Sequence, residues 1–452
     1  MTGALYTDLY ELNMASSYLR RGMTQPGTFS LFVRRLPSSR GFLVATGLQE
    51  CLDFLETFRF EDDDLAYLRD ELAFDDVTLD AFARVRFTGD VWAVPEGRIV
   101  HAGEPLLEVT APIAEAQLVE TVLLNLVTFD TTVASKAARC RIAASGKDLV
   151  DFSFRRTQGV DAAMAVARSS AIVGFVATSN VEAARRYGLA AAGTMAHSYV
   201  EAFPTEADAF RAFAQDFPSR TTFLVDTFDT EEGIRTVIAV IRELGLTDRL
   251  GIRLDSGDLE ALARRARGML DDAGLPGVGI FASGGLDELA IDDLVRAGAP
   301  IDAFGVGTRM GVSADAPFLD TAYKLVEFDG RPVLKLSPQK VSAPGAKQVF
   351  RSSGGVDVIG LRDEAPPPGA EPLLRPVMVG GRRTEPAPSP REAIDAARAV
   401  FEFDLEGLPT GAANLRDPRP VEPATSSSLA QLAERTRSLA LRGAAQRTTA
   451  TD

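Results

Sequence analysis

Between residues 148 and 308 short apolar runs alternate with amphipathic segments. Phe223-Leu224-Val225-Asp226 precedes a stretch from Glu231 to Ile238 whose Val and Ile share one helical face. Gly251 to Asp255 precedes Leu259 to Ala266, Val278 to Ser283 precedes Leu286 to Ala297, and Ile301 to Thr308 closes the series. Leu149 to Phe154 and Val173 to Asn180 extend it upstream, and the small-residue run Gly193 to Ser198 reads as the end of a further buried strand. Strands recurring about every 25 to 30 residues with helices between them predict a parallel sheet, curled into a closed or nearly closed barrel.

The flanks follow other rhythms. Phe29 to Arg34 alternates with period two, and Val91 to Gly97 through Leu106 to Val109 reads as paired strands around a Gly-Pro turn. Ala114 to Ala144 has few breakers and an apolar stripe through Leu118, Val122, Leu126 and Val133, which predicts a long helix leading into the barrel. Val326 to Val349 returns to short strands with an Asp329-Gly330 turn, and Pro-rich pieces such as Pro366 to Gly369 mark loops. The expected organisation is α/β. It has a strand-rich α+β N-terminal domain over 1–113 and an irregular barrel over 114–325. A C-terminal segment over 326–420 packs back on the first domain, and a helical or poorly ordered tail occupies 421–452.

Composition narrows the functional classes. A chain of 452 residues with 46% hydrophobic and 25% charged residues is long enough for two cores and has ordinary soluble composition. No apolar run reaches membrane-spanning length, and Met1 to Tyr6 lacks a basic segment followed by an apolar one, so the expectation is a cytoplasmic protein without a membrane partner. Cys51 and Cys140 are the two cysteines, too few for a disulfide framework or a thiolate zinc site, and read as buried thiols. A formal charge of -15 argues against nucleic acid. An anionic small molecule remains open if a few arginines and backbone amides make a local positive pocket.

That pocket is expected where the strands end. Arg155, Ser179, His197, Asp226, Asp255, Ser283 and Thr308 each fall at or just after the C-terminal end of an apolar run, and in a parallel barrel those ends share one face. Taken singly, each could merely cap the next helix. His197 is one of two histidines; its imidazole exchanges protons near neutral pH and can carry a phosphoryl group. His101 reads as part of an exposed turn and takes no role. Arg253-Leu254-Asp255-Ser256-Gly257-Asp258 offers a cation to an anion and carboxylates to a metal ion or sugar hydroxyls. Ser283-Gly284-Gly285 opening a helix, followed by Gly305-Val306-Gly307-Thr308, resembles the phosphate seat of barrel enzymes, and neither fits a P-loop.

With these pieces the chain closely resembles the nicotinate phosphoribosyltransferases, which join nicotinate to phosphoribosyl pyrophosphate (PRPP). The resemblance rests on Tyr6 to Tyr10 with Asn13-Met14, Phe152 to Arg156, Gly193 to Ser198, Val225 to Thr230, Arg253 to Asp258, Ser283 to Gly285 and Gly305 to Thr308, in the family's order. It implies a barrel of the type II phosphoribosyltransferase kind and a homodimer with shared active sites. It further implies that ATP, as co-substrate, phosphorylates His197, and that Tyr10 of the neighbouring subunit and Phe154 sandwich the pyridine. Arg253 would meet the nicotinate carboxylate or product phosphate, and Thr194 would lie in the same nicotinate pocket. Arg155, Arg156, Ser283, Gly284, Gly285, Gly305, Gly307 and Thr308 would hold PRPP. Asp226 and Asp255 would lie near the ribose and the Mg²⁺-bound pyrophosphate.

The nicotinamide-specific relatives share most of these motifs. They carry an aspartate, which accepts a hydrogen bond from the carboxamide, in the segment equivalent to Ala177-Thr178-Ser179-Asn180. Ser179 stands there in this chain; a carboxylate would repel nicotinate's own, whereas a hydroxyl donates to it, so the expectation is the acid. The blander account of Ser179 is a helix cap. A quinolinate-using enzyme would need more basic groups, and a catalytically silent sugar-phosphate-binding barrel could dispense with His197, Arg253 or Asp255.

Overall fold

A computed structural model of the chain describes residues 3–247, 249–336, 342–352 and 356–448. It comprises two compact units, one of Val133–Pro317 with Pro390–Arg398, the other of Met1–Thr132, Phe318–Ser389 and Ala399–Asp452.

In the first of these, seven strands form one parallel sheet: Asp148–Asp151 (β1), Ala177–Thr178 (β2), Ala190–Ala191 (β3), Thr222–Leu224 (β4), Gly251–Leu254 (β5), Gly279–Ala282 (β6) and Ala303–Val306 (β7). Their order is β3-β2-β1-β7-β6-β5-β4. Followed as a ring, each strand neighbours the next and β7 returns to β1. Among the described residues, β3 and β4 are the one consecutive pair without a ladder. The expected barrel is therefore a curled half-barrel, open at that joint.

The periodicity explains the elements. Phe223, Leu224, Ile252, Leu254, Ile280, Ala282, Phe304 and Val306 are all buried, as strands covered on both faces require. Helices Thr230–Leu244, Leu259–Asp272 and Glu288–Arg296 follow β4, β5 and β6. Each starts at an aspartate, Asp229, Asp258 or Asp287, whose side chain accepts an otherwise unpaired backbone N–H of the first turn.

Two expectations fail here. Gly193 to Ser198 is not a buried strand: the strand lies earlier, at Ala190–Ala191, both exposed, and His197 opens the short helix His197–Glu201. Small apolar residues satisfied the pattern without having enough side chain to bury. Likewise β1 stops at Asp151, and Phe154–Arg156 is a 3-10 turn rather than a strand end.

The second unit is built on an antiparallel sheet of seven strands. Its order is Arg331–Pro332, Thr321–Phe328, Pro26–Val33, Pro105–Pro112, Asp90–Ala93, Arg375–Val379 and Arg382–Arg383. Leu31 pairs with Leu107 and Tyr323, and Val91 with Val109, so one apolar face runs across the sheet. Phe29 stacks on Tyr323 at 4.8 Å, and Leu52, Leu55, Phe60 and Phe82 close the core. Asp329 and Gly330, both at positive φ, make the expected tight turn. Helix Ile113–Leu118 belongs to this unit, whereas helix Glu120–Ala144 belongs to it as far as Thr132 and to the other unit from Val133. Ser427–Thr448 is helical, and the last four residues of the tail expected at 421–452 lie outside the described residues.

His101, expected in an exposed turn, is 4% exposed. Burial pushes its pKa down to about 4, and Arg351 adds to the effect against the opposing carboxylates of Asp357 and Asp404. Cys51 and Cys140 are buried free thiols.

Candidate active site at the strand ends

Where β4, β5 and β6 end, side chains from distant parts of the chain meet around Arg253. Its Nε donates to Ser283 Oγ (2.8 Å), Nη2 to Asp255 Oδ1 (2.5 Å), and Nη1 to Thr194 Oγ1 (3.1 Å) and the Met195 carbonyl (3.4 Å). Ser283 Oγ donates to the same Asp255 oxygen at 2.5 Å. Burial alone would raise the Asp255 pKa, but Ser283 and Arg253 outweigh it and hold the carboxyl below its usual range. Asp255 therefore stays ionised at neutral pH.

Asp226, one strand over, uses Oδ2 to accept the Asp255 backbone N–H (3.0 Å) and the Ser256 hydroxyl (2.6 Å). Its Oδ1 is buried without a hydrogen-bond partner. His197 Nδ1 lies 3.2 Å from Thr227 Oγ1, and Nε2 lies 3.9 Å from Asp255 Oδ2. One ring nitrogen is thus engaged by a hydroxyl while the other faces a carboxylate. The gathering of His197, Arg253 and Ser283, on which the strand-end expectation depended, is realised.

The glycine loop is fixed by contact. Gly284 has φ +90°, and a Cβ there would stand 1.8 Å from the Asp255 carbonyl oxygen, so glycine alone allows the loop to lie on the β5 end. Beyond it, Glu288 opens the next helix, buried and paired with Lys136 and Arg139. Gly305 lies under a ring: its absent Cβ would sit 2.7 Å from Phe152. That ring stands 5.5 Å from the Arg253 guanidinium. Gly307 precedes the short helix Thr308–Gly311.

The remaining expected residues are placed as follows. Phe154, Arg155 and Arg156 are exposed on the 3-10 turn after β1, and Phe152, two residues earlier, supplies the ring beside Arg253. Ser179 is half-buried after β2; its N–H donates to the Asp151 carbonyl at 2.8 Å. The cap of the next helix is Asn180, whose Oδ1 accepts from Ala183 N at 3.1 Å, so Ser179 is not the cap. Tyr10, in the other unit, is 47% exposed on helix Leu9–Arg20, where burial and then Glu120 and Glu11 raise its pKa.

Asp151, Phe152, Thr227 and Ser256 were not singled out from sequence as site residues. Asp151 and Thr227 carried the same signal as the rest, a polar residue just past an apolar run; Phe152 was masked by counting its apolar ring as strand.

Comparison with known proteins shows the family. Residues 5–128 match the nicotinate phosphoribosyltransferase (NAPRTase) N-terminal domain, and residues 148–351 match the nicotinate phosphoribosyltransferase (NAPRTase) family. Nicotinate phosphoribosyltransferase pncB2 of Mycobacterium tuberculosis is 48% identical over 92% of this chain and 89% of its own. The Bacillus subtilis nicotinate phosphoribosyltransferase is 44% identical over 77% of this chain and 73% of its own. The crystal structure of human nicotinic acid phosphoribosyltransferase superposes with a TM-score of 0.83 at 29% identity, covering 95% of this chain and 99% of the human one.

Proposed function

The chain belongs to the nicotinate phosphoribosyltransferase family, and from that premise we propose that it joins nicotinate to PRPP, giving nicotinate mononucleotide and pyrophosphate, in NAD salvage with coupling to ATP hydrolysis. The observation that carries this reading is the Arg253, Asp255, Ser283 and His197 cluster at the ends of one parallel sheet.

The pyridine nitrogen attacks C1 of the ribose as the C1–O bond to pyrophosphate breaks, through a sugar with oxocarbenium character. Asp226 and Asp255 provide negative charge against that cation, and Asp255 is held ionised to do so. The Gly284-Gly285 loop, three residues ahead of the helix Glu288–Arg296, and Gly307, which precedes the helix Thr308–Gly311, offer backbone to the ribose phosphate. Arg155 and Arg156, exposed on their turn, are free to meet the pyrophosphate. An anion arriving at Arg253 competes with Asp255 for Nη2, which ties ligand binding to the carboxylate's position. Phe152, whose ring lies beside Arg253, offers a stacking face in addition to the expected Phe154, with Tyr10 of a second subunit as the opposite one in a homodimer.

For the ATP step, the tautomer in which Nδ1–H donates to Thr227 Oγ1 leaves the lone pair on Nε2 of His197, which attacks the γ-phosphorus as the bond to ADP breaks. Water later cleaves the N–P bond, returning imidazole and inorganic phosphate. Mg²⁺ suits the carboxylates available: Asp226 Oδ1 is buried without a partner and Asp255 Oδ2 faces His197. When bound it would draw off charge from the leaving pyrophosphate. Among the described residues no three His, Cys, Asp or Glu side chains group as a metal site, which suits an ion carried largely by phosphate oxygens and water.

Incubation with PRPP, Mg²⁺ and either nicotinate or nicotinamide, with and without ATP, tests the reading. The expected result is nicotinate mononucleotide, stimulated by ATP in the parent and not in His197→Ala. A preference for nicotinamide, or equal stimulation in that variant, refutes the corresponding part.

A further inference from the structure

Asp151 is fully buried, its carboxylate at 0% exposure, so it touches no substrate. Burial raises its pKa, against Ser153 and Thr178. A buried acid of this kind is retained at a cost in folding free energy, and what it holds is informative. Its Oδ1 accepts the Ser153 N–H (2.9 Å) and the Ser153 hydroxyl (2.6 Å), and its Oδ2 accepts the Thr178 hydroxyl (2.8 Å). The Thr178 oxygen already accepts the Asn180 N–H at 3.0 Å, so its own proton is directed at Asp151. The Asp151 carbonyl in turn accepts Ser179 N–H at 2.8 Å.

The four bonds that Asp151 accepts join two different loops. Ser153 follows Phe152 and starts the turn that carries Arg155 and Arg156: its carbonyl accepts the Arg156 N–H at 3.0 Å. Thr178 and Asn180 bracket Ser179. Asp151 and Thr178 are register partners on the adjacent strands β1 and β2, so one carboxylate spans the gap between the loop with the stacking ring and the loop with the hydroxyl.

We propose that Asp151 is a positioning residue that sets the distance between the Phe152 loop and Ser179, and thereby the preference for a pyridine bearing a carboxylate over one bearing a carboxamide. The proposal rests on the phosphoribosyl-transfer reading above. Ser179 can discriminate only if the ring is held at one depth, and the ring's depth is set by a loop that Asp151 anchors. A misplaced ring weakens binding of both pyridines, but the acid loses more, since its charge needs the hydroxyl within hydrogen-bonding distance.

Asp151→Asn keeps the shape and presents an N–H₂ where Oδ2 accepted Thr178. The expected result is a fall of about tenfold or more in the ratio of kcat/KM for nicotinate to that for nicotinamide, mostly through KM for nicotinate, with an unchanged or raised melting temperature. Thr178→Val should reproduce the fall and Thr178→Ser should not, since only the latter keeps the donor. Hydrogen exchange gives a readout independent of turnover: the Ser153 and Ser179 amides should exchange faster together in Asp151→Asn, with the Asp255 and Ser283 amides unchanged. A parent that turns over neither pyridine refutes the functional reading, and the exchange data then judge the anchoring by itself. An unchanged ratio in a folded Asp151→Asn, a fall in ratio that merely tracks a falling melting temperature, or faster exchange in one loop alone overturns the proposal.

Discussion

Ser179 and Asn180 are adjacent and do unlike things. Asn180 caps a helix, which leaves the Ser179 hydroxyl available for a ligand. Ser179→Asp should therefore move the acid-over-amide preference by about tenfold or more toward nicotinamide, read as the ratio of kcat/KM values, because a carboxylate there faces nicotinate's own. Thr227→Val removes one hydrogen bond from His197, worth about 1 kcal/mol, and should cut ATP stimulation about fivefold while sparing the ATP-independent rate. His101 gives a pH signature. Its folded pKa, about 4, lies below the unfolded value, so the unfolded state takes up the proton first, and its neutral form favours folding above about pH 6.5. As pH falls from there toward 4 the folded state should lose up to about 3 kcal/mol through this group. His101→Gln should flatten that part of the melting-temperature profile, and a profile identical to the parent's would contradict it.

At the level of elements, the strands and helices of the parallel sheet were legible because buried strands need continuous apolar runs and their helices need caps, and both leave marks in composition. Phe223 to Asp226 and Gly251 to Asp255 are such cases, each a run closed by an aspartate. What could not be read was placement by small residues: Ala190 to Ala196 satisfies any apolar pattern, and only tertiary pairing selects Ala190–Ala191 as the strand. Phe152 escaped for the related reason that a ring at a strand end counts equally as core or as floor. Asn180→Ala should cost about 1 kcal/mol of stability as a lost cap, whereas Ser179→Ala should cost almost none, measured by denaturant unfolding. Gly284→Ala must relieve a 1.8 Å approach to the Asp255 carbonyl oxygen, which pulls the loop off β5. The expected outcome is a folded protein with PRPP KM raised about tenfold or more; unchanged KM would show that the loop does not seat the phosphate.

On the scale of the whole molecule, no helix among the described residues is long and apolar enough to cross a membrane, in keeping with the hydropathy of the sequence. The proposed sharing of sites between subunits has a stoichiometric signature. Mixed expression of Tyr10→Ala and His197→Ala chains should restore about a quarter of parental activity, because half of the dimers are mixed and each of these has one intact site. No restoration would mean that both residues serve the same subunit. The half-barrel itself has a consequence of another kind. Since β3 and β4 are chain neighbours at opposite edges of the sheet, the passage between them, which bears His197, is among the described residues the one connection that joins consecutive strands without a ladder. Insertions or deletions beyond Glu201, where the helix that bears His197 ends, can widen or narrow the mouth while every strand keeps its register, so the doorway is open to tailoring and the hearth behind it stays in place.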